Sequence, residues 1–80
     1  MTLYEAEGKY VRIETDDGQV FEGRAYDYTS ALDNEPDPES ISIGLFELYS
    51  TEIRNIEELN DSDIKELRKL PEPWRVIAHG

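Results

Sequence analysis

The chain has 80 residues, carries 19 Asp and Glu against eight Lys and Arg, and contains no cysteine. This length allows one domain with a modest core, and the missing cysteine excludes disulfides, thiolate metal sites and cysteine nucleophiles. A net charge of −11 repels phosphate backbones, which bind proteins largely through Lys and Arg that displace counterions, and it keeps a small protein in solution.

No apolar run approaches the length of a membrane span or a signal-peptide core. Met1–Glu5 is acidic, unlike a targeting segment, so the expected location is the cytoplasm, away from membranes. Residues 1–8 read as a helical or irregular lead-in, with Leu3 and Tyr4 packing on the core. A first strand follows at 9–15, where Val11 and Ile13 alternate with polar residues. Asp16-Asp17-Gly18 supplies a tight turn into a second strand at 19–29. Phe21, Gly23 and Ala25 form its early inward set, while Tyr26 and Tyr28 share the opposite phase. A glycine inside a strand often marks a bend or bulge, so Gly23 is the expected bend.

Residues 30–40, SALDNEPDPES, read as a solvated, mobile loop, because Asn34, Pro36 and Pro38 fit poorly in a central strand. A third strand at 40–46 holds Ile41, Ile43 and Leu45 in alternation, and Gly44 marks a bend. A fourth at 46–50 contains Phe46, Leu48 and Tyr49. Ser50-Thr51-Glu52 has the residues of a short helical turn, and a fifth strand spans 53–59. Asn60-Asp61-Ser62-Asp63 suits a helix N-terminus, and Ile64, Leu67 and Leu70 then recur at helical spacing. Pro71 and Pro73 stop that helix. Trp74–Ala78 is an apolar coda able to add an edge strand or dock on a neighbour.

The alternating strand, the Asp17-Gly18 turn, Phe21-Glu22-Gly23 and the Tyr49…Ile53…Ile56 ending together resemble the Sm-like (LSm) small barrel, a relative of the SH3-like barrels. The resemblance covers 9–59. It implies a mainly β, five-stranded, strongly bent antiparallel barrel, here with a short C-terminal helix. The chain is then a single domain over 1–80, with its barrel core at 9–59 and a helix and tail at 60–80. It also implies a homo-oligomer, a ring or smaller, joined through edge strands four and five.

RNA-binding members of that family carry an aromatic-Asp pair beyond the second glycine and an Asn four residues later. Tyr28 matches the aromatic position, but Thr29 stands at the acid and Asp33 at the Asn, with Asn34 one place late. Tyr49–Ile53 occupies the place of the family's basic second motif. The residues that would read a nucleotide have therefore not come with the scaffold.

Four tyrosines, Tyr10, Tyr26, Tyr28 and Tyr49, could make an aromatic surface of the kind that small barrels use for bases or peptides. The alternative is that they complete a core or cover an interface. Trp74, between prolines, either caps its own chain or anchors a second subunit. Asp33, Glu35, Asp37 and Glu39 alternate as calcium ligands do, but the glycine of a calcium loop is missing. His79, the only histidine, sits where chains fray, and no nucleophile–base constellation is present. The sequence thus predicts a non-enzymatic module without cofactor or metal, acting in oligomerisation or protein interaction, with Tyr26, Tyr28, Tyr49 and Trp74 as its partner surface. The alternative is an RNA or single-stranded nucleic-acid binder, using Tyr26, Tyr28 and the basic segment of Lys65, Arg68, Lys69 and Arg75.

Overall fold

The computed structural model describes residues 1–70 and the backbone of 77–79. Helix α1 (Leu3–Ala6) begins at Thr2. The Thr2 hydroxyl accepts the Glu5 amide at 3.1 Å, and the Glu5 carboxylate accepts the Thr2 amide at 2.8 Å. This reciprocal pair satisfies two amides that a helix start leaves unpaired. The helix buries Leu3 and Ala6, whereas Tyr4 is 72% exposed and meets Tyr28 edge-on. The expected packing of Leu3 is present; that of Tyr4 is not, because its position faces away from the sheet.

Strands β1 (Tyr10–Thr15) and β2 (Val20–Thr29) form the expected hairpin, with Ile13 opposite Phe21. Gly18 takes φ +85°, a left-handed value that glycine adopts freely. Asp17 completes the turn by accepting the Thr15 hydroxyl and the Gln19 amide. Those bonds, the first above all, hold its carboxyl below the usual carboxylate range.

β1 and β3 (Ser40–Ile43) pair with different stretches of β2. The first half of β2 pairs with β1 as far as Arg24, and β3 takes over from Ala25, opposite Ile43. The changeover lies between Arg24 and Ala25, just past Gly23. A bulge follows. Between Tyr26 and Thr29 the register with β3 slips, and Asp27 takes φ +52°. The extra residue reverses the side-chain phase. Tyr28 thereby packs against the core, while Tyr26 stays outside, 39% exposed. The expectation that the two tyrosines share one face fails for this reason.

β3 ends earlier than its alternation suggested. Gly44 (φ +60°) and Leu45 form the turn into β4 (Phe46–Tyr49), so Leu45 is 77% exposed rather than inward. A 3₁₀ turn at Ser50–Glu52 leads into β5 (Ile53–Glu58), antiparallel to β1 with Ile56 opposite Ile13. This turn ties both halves of the sheet together: the Ser50 amide donates to Glu39 O and the Asp16 amide to Glu52 O, each at 2.9 Å. A short strand β6 (Ile77–His79) adds to β2.

The fold is mainly β. Its antiparallel path runs β4-β3-β2-β1-β5, with β6 beside β2. The sheet is not closed: among the described residues no ladder joins β4 to β5, so the pairing that would make a barrel is absent. One core unites both halves and α1 through Leu3, Ala6, Val11, Ile13, Phe21, Ala25, Ile41, Ile43 and Leu48. It therefore reaches beyond the 9–59 segment.

Helix α2 (Asp61–Leu67) starts where Asn60-Asp61-Ser62-Asp63 led one to expect, with the Asn60 side chain accepting the Asp63 amide at 2.8 Å. It lies on its own chain. Leu67 is buried, and the Arg68 guanidinium sits 5.4 Å from the centre of the Tyr10 ring. Arg12 on β1 reaches Glu57, Glu22 and Asp63, so one cation links β1, β2, β5 and α2. The Glu57 bond first, then the charges of Glu22, Glu57 and Asp63, raise the Arg12 pKa.

Candidate functional site

The segment between β2 and β3 is folded on itself, not a loose loop. The Asn34 amide donates to Ser30 O, the Asp33 amide to Ser30 Oγ, and the Asp37 amide to Asn34 O at 2.8 Å. Asn34 Nδ2 donates to Pro38 O at 2.7 Å and to Ser40 Oγ at 3.4 Å. Ser40, only 1% exposed, donates its hydroxyl to Glu47 Oε2 at 2.8 Å. Tyr49 donates to the other oxygen of the same carboxylate at 3.1 Å. A polar chain thus runs Asn34–Ser40–Glu47–Tyr49 and fixes the segment to β3 and β4.

This chain has the chemistry of a clamp. The Glu47 carboxylate accepts from two hydroxyls, one on each of its oxygens. The Tyr49 phenol is pushed up by its bond to Glu47, then by burial and by the charges of Glu47, Asp37 and Glu52. A group raised in this way keeps its proton and makes a poor base. Among the described residues no group of three His, Asp or Glu is placed to hold a metal ion, and Asp33, Glu35 and Asp37 lie exposed along the folded segment.

The predicted partner residues go to separate places. Tyr26 donates its hydroxyl to Gly44 O, which braces the β3–β4 turn. Tyr28 meets Tyr4 edge-on at 5.6 Å and donates its amide to Glu7 at 2.8 Å. Its phenol is pushed up by burial, then by Glu39. Tyr49 belongs to the clamp and Tyr10 to the α2 contact. Among the described residues no ring contact joins Tyr26, Tyr28 and Tyr49, so no aromatic platform forms. Trp74 lies outside the described residues.

Two features were missed in the sequence. Phe46 meets Phe21 with ring centres 5.1 Å apart and planes tilted by 58°, and is still 46% exposed on β4. Reading Gly44-Leu45 as a two-residue hairpin turn would have found it. A cleft of about 250 Å³ lies at Phe21, floored by Phe21 and Leu48 and rimmed by Asp16, Asp17 and Glu52. Its acids come from the hairpin turn and the 3₁₀ turn, which are far apart in sequence, so no local pattern announces it.

The ends of the strand path are the remaining surface. β4 and β5 have no partner on their outer edges among the described residues. Ile53 and Ile56 of β5 pack partly against the core, while Arg54 reaches outward to Glu14 at 2.8 Å. Among the described residues no helix is long and apolar enough to cross a membrane. Neither a family model, nor a curated protein, nor a solved structure matches the chain.

Proposed function

We propose that this chain is a non-enzymatic, Sm-like small-barrel protein that works as an oligomerisation module. The observation that carries the reading is the strand path β4-β3-β2-β1-β5, with β2 in the middle and, among the described residues, unpaired edges at both ends. Unpaired strand edges are templates for further pairing. The β4 edge of one copy set against the β5 edge of the next continues the sheet and makes a heterologous contact of the kind that closes into rings. On this reading, assembly completes the curl that a single open sheet leaves unfinished.

The nucleic-acid reading draws no support from the tyrosines, since Tyr26 and Tyr28 face apart. The cleft is rimmed by acids, which repel a phosphate chain. Light scattering over a range of concentrations tests the assembly: the expected mass is a multiple of 9.3 kDa, with slowed amide exchange along β4 and β5. A monomer at every concentration overturns the reading. Binding of short single-stranded RNA at low salt would move the function to the other class.

A further inference from the structure

β1 covers one edge of β2 from Val20 to Arg24, so β3 and β6 must both lie along the other edge. They sit end to end on it. β3 takes Ala25 onward, and β6 takes Val20–Glu22, with His79 opposite Val20, Ala78 opposite Phe21 and Ile77 opposite Glu22. The stretch covered by β6 has limits at both ends, the Gly18 turn on one side and the changeover to β3 on the other. It is a short seat for one extended segment.

We propose that the outer edge of β2 at Val20–Glu22 is a strand-accepting site that β6 fills reversibly, and that the Ile77–His79 segment of a second copy takes the same seat. Strand addition draws its affinity from main-chain hydrogen bonds, so any chain that carries the segment offers the same bonds. The side chains of the seat agree with this. Phe21 points into the core and Val20 and Glu22 are half-buried, which leaves the backbone as the main recognition element. A three-residue strand contributes few ladder bonds. It therefore opens far more readily than the body, whose strands β1 and β2 are paired along their length. Six residues, two of them proline, separate Leu70 from Ile77. So short a tether gives the chain's own strand an effective concentration in the millimolar range, which a second copy must match. Exchange of an identical segment between copies needs no new contacts.

The test is a titration of the ¹⁵N-labelled full chain with a synthetic peptide of residues 74–80. The expected result is a saturable shift of the Val20–Glu22 amides, with those of Ile41 and Ser42 in β3 unmoved. In the full chain carrying both Ile77→Pro and Ala78→Pro, one of two adjacent donors facing β2 is lost whichever way the strand is turned. Removing the internal competitor should lower the half-saturating peptide concentration at least tenfold. If that variant loses its folded spectrum, the wild-type titration decides alone. No shift of Val20–Glu22 in the wild-type chain at millimolar peptide, or shifts confined to β4 and β5, overturns the proposal.

Discussion

In the half of the sheet built from β1, β5 and the first part of β2, side-chain alternation passes unchanged along β1 and β2, and the register slips once, where β5 meets Glu14 and Thr15. Val11 and Ile13 point inward, and so do Phe21, Gly23 and Ala25. In the half built from late β2, β3 and β4, alternation breaks twice, at the Asp27 bulge and at the Gly44-Leu45 turn. The first half is held by a local hairpin and by Arg12 reaching three acids. The second is held by the Asn34–Ser40–Glu47–Tyr49 chain, whose partners are brought together only by folding. A periodic pattern serves the first kind of construction and misleads in the second.

This contrast can be tested, from the largest expected effect downward. Ile13→Ala empties a fully buried position where β1 meets both β2 and β5. It should cost about 2–5 kcal/mol in denaturant unfolding and loosen both halves together. An effect confined to one half would show that they do not share a core. Asp27→Val puts a β-branched residue at φ +52° and should cost about 1–3 kcal/mol. Its mark should be a changed environment of Tyr28, read by NMR, while the β1–β5 ladder persists. An unperturbed Tyr28 would mean that the bulge does not set its phase.

Ser40→Ala removes the middle of the polar chain and should cost about 1–2 kcal/mol. Faster amide exchange at Asn34 and Asp37, with Val11 and Ile13 unchanged, would confirm that the clamp is local to the second half.

The smallest effect concerns pH. The Tyr28 and Tyr49 phenols are raised above 10.0 in the folded chain. Their protonated forms are therefore favoured by folding. That stability is fully present below pH about 10 and is lost as pH rises through the folded values. Thermal melts between pH about 9 and 11 should fall less steeply in Tyr49→Phe than in the parent. Both chains share the growing charge repulsion, so the difference isolates the phenol, and equal slopes would remove Tyr49 from the account.

The hairpin, the first strands and the C-terminal helix are legible in the sequence because each rests on a local signal: Asp17-Gly18, period-two alternation along β1, β2 and β3, and the Asn60 cap. Tyr26 and Tyr28 are not legible as separate residues. Their phase depends on Asp27 adopting a conformation that aspartate tolerates but does not announce. The clamp is hidden for another reason. Nothing near Ser40 in sequence says that its hydroxyl will meet Glu47, seven residues on across a turn. The loop acids, conspicuous as a row of charge, turn out to matter less than the uncharged Asn34 beside them.

The position of β1 has a consequence for how the chain is made. One of its flanks is satisfied by β2, its neighbour in sequence, while the other waits for β5, about forty residues later. Such long-range pairing forms late, because the intervening loop must close first. A chain growing from its N-terminus must hold an apolar strand with a bare edge until residue 58 has emerged. During that interval the acids already made, far outnumbering Lys9, Arg12, Arg24 and Arg54, repel other nascent chains. The same acid excess that would repel a phosphate chain thus also sets copies apart while β1 still has a bare edge.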